Sequence, residues 1–244
     1  MSESREPELL VIVPTRGRPH NAARVVNAWA STGAFACARL LLAIDADDPE
    51  RARYYGALAD GVLVTESPKW QPMVHKLDWV ASGMLVNTPW KYLAFMGDDH
   101  VPRTDGWAQA YCDALAELGT GIVYGNDLVQ GAKLCTQWAM TADIVRVLGR
   151  MVPAPVEHMY CDNSVMELGR ELGVLRYLPE IKIEHAHPVA GRGAWDAGYE
   201  RVNSREQYKR DFEAFRGWRD GEGFQKDVEL IKNVISANAK ETTS

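Results

Sequence analysis

Closely spaced cysteines are missing from this chain. Its four, Cys37, Cys112, Cys135 and Cys161, include no CxxC pair, which excludes a zinc ribbon and a thioredoxin-like motif and leaves reduced thiols as the simplest state. A surplus of positive charge is missing as well: 27 Lys and Arg against 33 Asp and Glu give a formal net charge of −6, so a polyanion would need a local basic patch. No long apolar run is present. The first, Leu9 to Val13, is too short for a signal core or a membrane span, and with the polar start MSESREPE it predicts a cytoplasmic protein. There is no GxGxxG and no Walker loop, which disfavours a dinucleotide-dependent dehydrogenase and an ATPase.

What is present suits a folded enzyme-sized unit. At 244 residues, 46% hydrophobic and 25% charged, the chain can bury a core and fits one α/β domain with a short appendage. From residue 9 to about 125, short β-branched runs alternate with helical patterns, the signature of βα units. LLVIV (9–13), RLLLAID (39–45), GVLVTE (61–66), KYLAFMG (91–97) and GIVYGND (121–127) read as strands. Ala22, Val25, Val26 and Trp29 share one helical face, as do Met73, Leu77, Val80 and Met84. Trp107, Ala110, Tyr111, Ala114, Leu115 and Leu118 give the strongest helical periodicity, and Pro49 is expected to open a further helix.

Beyond residue 130 the alternation loosens. The pattern predicts a strand near 133–140, a helix near 141–150, a helix from Asp162 and an extended segment over VLRYLPEIKIEHAHP. Two C-terminal helices follow, the first capped by the S-x-x-Q at Ser204. The expected division is 1–200 for the main domain and 201–244 for a helical extension packed on it.

The residues with chemistry to offer cluster at predicted strand ends, where open α/β sheets bind ligands. In FMGDDHVPRTDGW a strand runs into Asp98 and Asp99, a pair suited to Mg²⁺ or Mn²⁺. Asp105 reads instead as a cap of the next helix. A rival cluster, Asp45, Asp47 and Asp48, ends the second strand; Asp48 is equally a helix cap or a ligand, and Asp45 can accept the imide N–H of a uracil ring. PTRGRP offers Gly17 for close backbone approach, with Arg16 and Arg18 for anions. His185 and His187, two apart in an extended segment, point to one face and can ligate a metal. Asp162 is either a helix N-cap or a general base, and both roles can coexist.

Together these pieces resemble the nucleotide-sugar glycosyltransferases of the GT-A fold, especially family 2-like enzymes and their small bacteriophage-encoded versions, over roughly residues 9–200. The resemblance implies an α/β fold with a Rossmann-like mixed sheet flanked by helices and a C-terminal helical extension. LLVIVPTRGRP matches the family's opening strand and loop, which implies that Pro14, Thr15 and Arg18 border the nucleotide, with Arg16 a further nucleotide-binding candidate by its charge. Asp45 falls where the family's aspartate contacts the base. GDDH aligns with the metal motif, placing Asp99 at its last aspartate, Asp98 at its variable middle position and Gly97 where many relatives carry the first. The late acidic residue that serves as base in inverting members falls on Asp162. A C-terminal histidine that completes the metal site falls on His185 or His187, with His185 preferred.

The reaction so implied moves a sugar from a nucleoside diphosphate, with a UDP-sugar as the expected donor, to an acceptor hydroxyl, with Mn²⁺ or Mg²⁺ at the diphosphate. Lys76 is a further candidate for the nucleotide's charge. Trp70, Trp195 and Tyr199 either stack on substrate or pack as core or lid, and Gly191, Gly193 and Gly198 would hinge such a lid. The acceptor candidates are a hydroxymethylated pyrimidine in phage DNA, a virion protein or a glycan. The basic residues Arg192, Arg201, Arg205, Lys209, Arg210, Arg216 and Arg219 suit DNA, but interleaved acids make a salt-bridged surface an equal account. A sugar-phosphate nucleotidyltransferase and a non-catalytic metal- and nucleotide-binding module are the competing classes.

Overall fold

The computed structural model describes residues 6–57, 59–87, 90–186 and 197–241. An eight-stranded mixed sheet has the order β3-β2-β1-β4-β7-β6-β8-β5. Its first four members, β1 (Leu9–Pro14), β2 (Ala38–Asp45), β3 (Val62–Ser67) and β4 (Tyr92–Phe95), run parallel. β7 (Trp138–Thr141) is antiparallel to both β4 and β6 (Ile122–Asn126), while β8 (Leu175–His185) is parallel to β6. β5 (His100–Pro102) pairs antiparallel with the end of β8. The order turns back at β1, between β2 and β4, and a crevice opens at the C-terminal ends of such strands.

Period-two alternation explains why the strands read as unbroken apolar runs: both faces are covered. Leu10 and Ile12 of β1 and Leu41 of β2 face one core, with Val74 and Leu77 of α3 (Met73–Asn87), helices α5 (Ala142–Leu148) and α6 (Cys161–Leu172), and Phe224 and Ile231. Leu9, Val11 and Val13 face the other, with Val25 and Trp29 of α1 (Pro19–Ser31) and Trp107 and Leu115 of α4 (Trp107–Leu118). Every apolar position predicted for the α1 stripe is buried. Trp218 of α8 (Arg205–Arg219) and Val228 of α9 (Glu222–Glu241) join the first core, so the C-terminal helices pack on the sheet-bearing unit.

The predicted boundaries need correction where tertiary contacts decide them. The helix expected from Pro49 is the four-residue α2 (Arg51–Tyr54), and the strand expected near 133–140 occupies only 138–141. Gly106, in the left-handed region, holds the N-cap position of α4, so Asp105 does not cap it. Tyr160 holds that position for α6, which starts at Cys161, and Asp162 makes no cap bond. The cap at Ser204 forms as expected, its hydroxyl accepting the Gln207 N–H at 3.2 Å. β5 and α7 (Ala197–Val202) were not legible as elements. Among the described residues no helix is long and apolar enough to cross a membrane.

Candidate functional site

A cavity of about 670 Å³ opens over the C-terminal ends of β1, β2 and β4 and reaches the start of α6 and the α7–α8 segment. The described residues that the resemblance places at nucleotide, metal and base line it, as do Lys76, Trp70 and Tyr199, while Gly17, Asp47 and Asp48 do not. His187 and Trp195 lie outside the described residues, as do Gly191 and Gly193 of the expected lid.

The two adjacent aspartates after β4 separate. Asp98 turns inward: its Oδ2 accepts the Thr15 hydroxyl at 2.6 Å, and its Oδ1 faces Arg18 and Asn21, both at 3.4 Å. Burial, reinforced by the charge of Asp99, raises its pKa. Thr15 and Arg18, expected at the nucleotide, thus spend side-chain contacts on Asp98 and fix the loop after β1. Gly17 adopts φ +70° there and donates its N–H to Asp48 Oδ2 at 2.7 Å. Asp48 also accepts the Glu50 N–H at 2.8 Å, so this carboxylate braces loops.

Asp45 is fully buried and saturated by the chain itself. Lys76 Nζ and the Ser67 hydroxyl reach its Oδ1, each at 2.7 Å, and Arg16 Nη1 reaches its Oδ2 at 3.1 Å. Burial lowers the Lys76 pKa, opposed by Asp45. The face this end of the cavity offers a ligand is therefore the partly exposed guanidinium of Arg16, which also holds Asp47 at 2.6 Å.

Asp99 points into the cavity toward two histidines. β5 and β8 set His100 opposite His185, and the rings stack with centroids 4.2 Å apart. Asp99, His100 and His185 form a group whose potential ligand atoms all lie within 4.8 Å of one another. The two imidazoles are not equivalent. His100 Nδ1 lies 3.4 Å from Asp99 Oδ1, but the Gly97 N–H already points at its lone pair at 2.9 Å. Its Nε2 is 3.4 Å from the Thr136 hydroxyl, which itself donates to Asp127 at 2.9 Å. Both ring nitrogens are thus engaged in a neutral ring, in keeping with a pKa lowered by burial. His185 Nε2 instead faces Asp99 Oδ2 at 3.5 Å. Burial works against its charge, yet Asp127 and Asp99 outweigh burial and raise its pKa to about 9. Burial would likewise raise Asp99, but its histidine neighbours hold it well below the usual carboxylate range.

Gly97 is required by this packing. A Cβ there would lie 2.6 Å from Asp99 Oδ1 and 2.9 Å from His100 Nδ1, so no further carboxylate fits at this position without displacing the other two. Tyr199, expected at a lid or acceptor surface, is buried and donates its hydroxyl to Asp99 Oδ2 at 2.6 Å, with the Arg18 guanidinium 4.0 Å from its ring centroid. Trp70 stays exposed beneath Arg201, 4.9 Å from ring centroid to guanidinium.

A carboxylate and an imidazole 3.5 Å apart can serve one divalent ion with bonds of about 2.1 Å, and oxygen with nitrogen is a donor set that Mn²⁺ accepts. At the other end of the cavity Asp162 accepts the N–H of Asn163 at 2.8 Å. Burial pushes its pKa up to about 6, in the range useful to a general base. The loop before it is held from α8: Asp211, 2% exposed, accepts the N–H groups of Glu157, His158 and Met159 at 2.9, 3.0 and 2.7 Å.

Sequence reasoning passed over Asp127, Thr136 and Asp211. Asp127 carried a signal of the kind used for Asp45 and Asp99, a carboxylate just beyond a strand; Asp211 sits among alternating helix charges and carried none.

By sequence, no family model matches the chain, and neither does any curated protein. Solved structures do match. The mannosyltransferase PcManGT from Pyrobaculum calidifontis, in complex with GDP-Man and Mn²⁺, is 14% identical with a TM-score of 0.62, over 96% of this chain and 72% of its own. Residues 1–349 of TarS from S. aureus, in complex with UDP, are 11% identical with a TM-score of 0.51, over 86% of this chain and 74% of theirs. The fold is that of the GT-A nucleotide-sugar glycosyltransferases.

Proposed function

We propose that this protein transfers a sugar from a nucleoside diphosphate to an acceptor hydroxyl, with a UDP-sugar as the first donor to test. The observation that carries the reading is the pairing of Asp99 Oδ2 with His185 Nε2 at 3.5 Å in a cavity that also holds Asp162. Asp99 and His185 would hold Mn²⁺ or Mg²⁺, which supplies positive charge to the diphosphate leaving group. The solved relatives named above were captured with GDP-Man and Mn²⁺ and with UDP, which supports this assignment.

The chain's own residues divide the remaining work. Arg16 and Arg18 border the donor, and Pro14, Thr15 and Asp98 keep their loop in shape. Lys76 keeps Asp45 neutralised and in place beside the base-binding end. Asp162, ionised above about pH 6, takes the acceptor proton as the acceptor oxygen bonds to the anomeric carbon and the bond to the diphosphate breaks. Trp70 and Arg201 form one wall. Residues 1–200 are assigned the catalytic unit and 201–244 the helical extension that holds its acceptor loop.

The acceptor is a protein or glycan hydroxyl in preference to DNA. Of the seven C-terminal cations that would suit DNA, Lys209, Arg210, Arg216 and Arg219 are paired with Glu213, Glu157, Asp220 and Glu167. Such a surface neutralises itself.

A panel of nucleotide-sugars with Mn²⁺, read as free nucleoside diphosphate released, tests the reading. One donor hydrolysed or transferred by the wild type and spared by Asp99→Ala is the expected result. Pyrophosphate formed from a sugar phosphate and a nucleoside triphosphate would identify a nucleotidyltransferase instead.

A further inference from the structure

Asp127 lies just past the end of β6, 1% exposed, next to His185 Nδ1. Its oxygens have separate partners. Oδ1 accepts three backbone N–H groups, from Val129 at 3.0 Å, Gln130 at 2.7 Å and Gly131 at 2.9 Å. Oδ2 accepts the Thr136 hydroxyl at 2.9 Å and faces His185 Nδ1 at 3.8 Å. The Asp127 carbonyl also accepts the His185 backbone N–H at 3.0 Å, so ring and carboxylate are tied along the main chain.

We propose that Asp127 is the positioning residue that fixes His185 as the Nδ1–H tautomer and turns its Nε2 lone pair toward the metal position beside Asp99. The inference rests on the reading of Asp99 and His185 as metal ligands. A neutral imidazole carries one ring proton, and the partner of one nitrogen decides which nitrogen keeps it. Both ring nitrogens face a carboxylate, Nδ1 toward Asp127 Oδ2 at 3.8 Å and Nε2 toward Asp99 Oδ2 at 3.5 Å; with a divalent ion beside Asp99, Nε2 would give up its proton and the one ring proton would sit on Nδ1, toward Asp127. A carboxylate behind a ligating histidine is a general way to raise its basicity and hold its ring. His100 supplies the contrast within the same cluster: Gly97 N–H donates to its Nδ1, which forces the proton onto Nε2 and toward Thr136. His100 is therefore packing for His185, stacked 4.2 Å away, and not a ligand.

Asp127→Asn separates this role from a merely structural one. The three backbone donors require an acceptor at the Oδ1 position, so the amide oxygen stays there and the NH₂ group takes the place of Oδ2. It then offers a donor to His185 Nδ1, and an amide in this place selects the other tautomer. The loop survives while the ligand lone pair is lost.

Two readouts test this: long-range ¹H–¹⁵N NMR of the His185 ring with the diamagnetic ion Mg²⁺ and UDP present, and Mn²⁺ uptake followed by electron paramagnetic resonance with UDP present. The wild type is expected to show Nδ1–H, and Asp127→Asn to show Nε2–H, with backbone shifts at 129–131 preserved. Mn²⁺ affinity should fall about 10- to 100-fold in the variant. A wild-type ring protonated on Nε2, or Mn²⁺ affinity unchanged within threefold in a correctly folded Asp127→Asn, overturns the proposal. If the wild type takes up no Mn²⁺ while the tautomers differ as stated, the metal reading fails and the positioning role stands.

Discussion

The Tyr199 hydroxyl donates a 2.6 Å hydrogen bond to Asp99 Oδ2, the same oxygen that faces His185 Nε2 at 3.5 Å. A side chain 100 residues downstream thus reaches back to the carboxylate at the centre of the cavity. A hydrogen bond to a charged acceptor contributes about 1.5–3 kcal/mol. Tyr199→Phe keeps the ring over which Arg18 lies and removes only that bond. Urea unfolding without metal should show a loss of about that size, and Mn²⁺ with UDP should shrink it, since the ion then compensates Asp99. A loss unaffected by Mn²⁺ and UDP would separate Tyr199 from the proposed metal position.

On the proposed reading, with Asp162 as the general base, this residue sets the acid limb of the pH profile. Its pKa, pushed up to about 6 by burial, leaves the carboxyl protonated below that value, and a protonated carboxyl cannot accept a proton from the acceptor. kcat should be level above pH 7 and fall about tenfold per pH unit below 6. Asp162→Asn should lower kcat by about 10²–10⁴-fold with donor affinity retained, and should remove the limb. A profile with the same acid limb in Asp162→Asn would contradict the assignment.

Asp211 anchors the loop before α6 from α8. Three backbone N–H groups and Gln207 Nε2, at 3.0 Å, share its carboxylate, which is 2% exposed. Asp211→Ala leaves these part-buried donors without their acceptor, at a cost of about 1–3 kcal/mol. Asp211→Asn should lose less, because one amide oxygen still accepts. Denaturant midpoints would show the order wild type, Asn, Ala, and kcat should fall in step, since the held loop leads directly into Asp162.

The parallel strands and their helices were legible because periods of two and 3.6 are local properties of a sequence. Trp107 to Leu118 forms a helix over the range its spacing predicts. The inner arrangement of the site was not local. Asp98 and Asp99 read as one pair, yet the backbone turn after β4 sends Asp98 to Thr15 and Arg18 and leaves Asp99 in the cavity. Asp45 read as a free acceptor for a base, but Lys76, 31 positions away, saturates it. The three-residue β5 is too short to show a period, and only its register with β8 brings His100 onto His185. Distances between segments decide these roles, and spacing within a segment does not carry them.

Calorimetric titration of the matching nucleotide-sugar into the protein, with and without Mn²⁺, tests the central claim most directly. The account predicts that Mn²⁺ tightens binding by at least about tenfold, roughly 1.4 kcal/mol, and that Asp99→Asn and His185→Ala each remove this enhancement while the protein stays folded. Equal affinity with and without Mn²⁺ in the wild type, or the same enhancement in both variants, would contradict it.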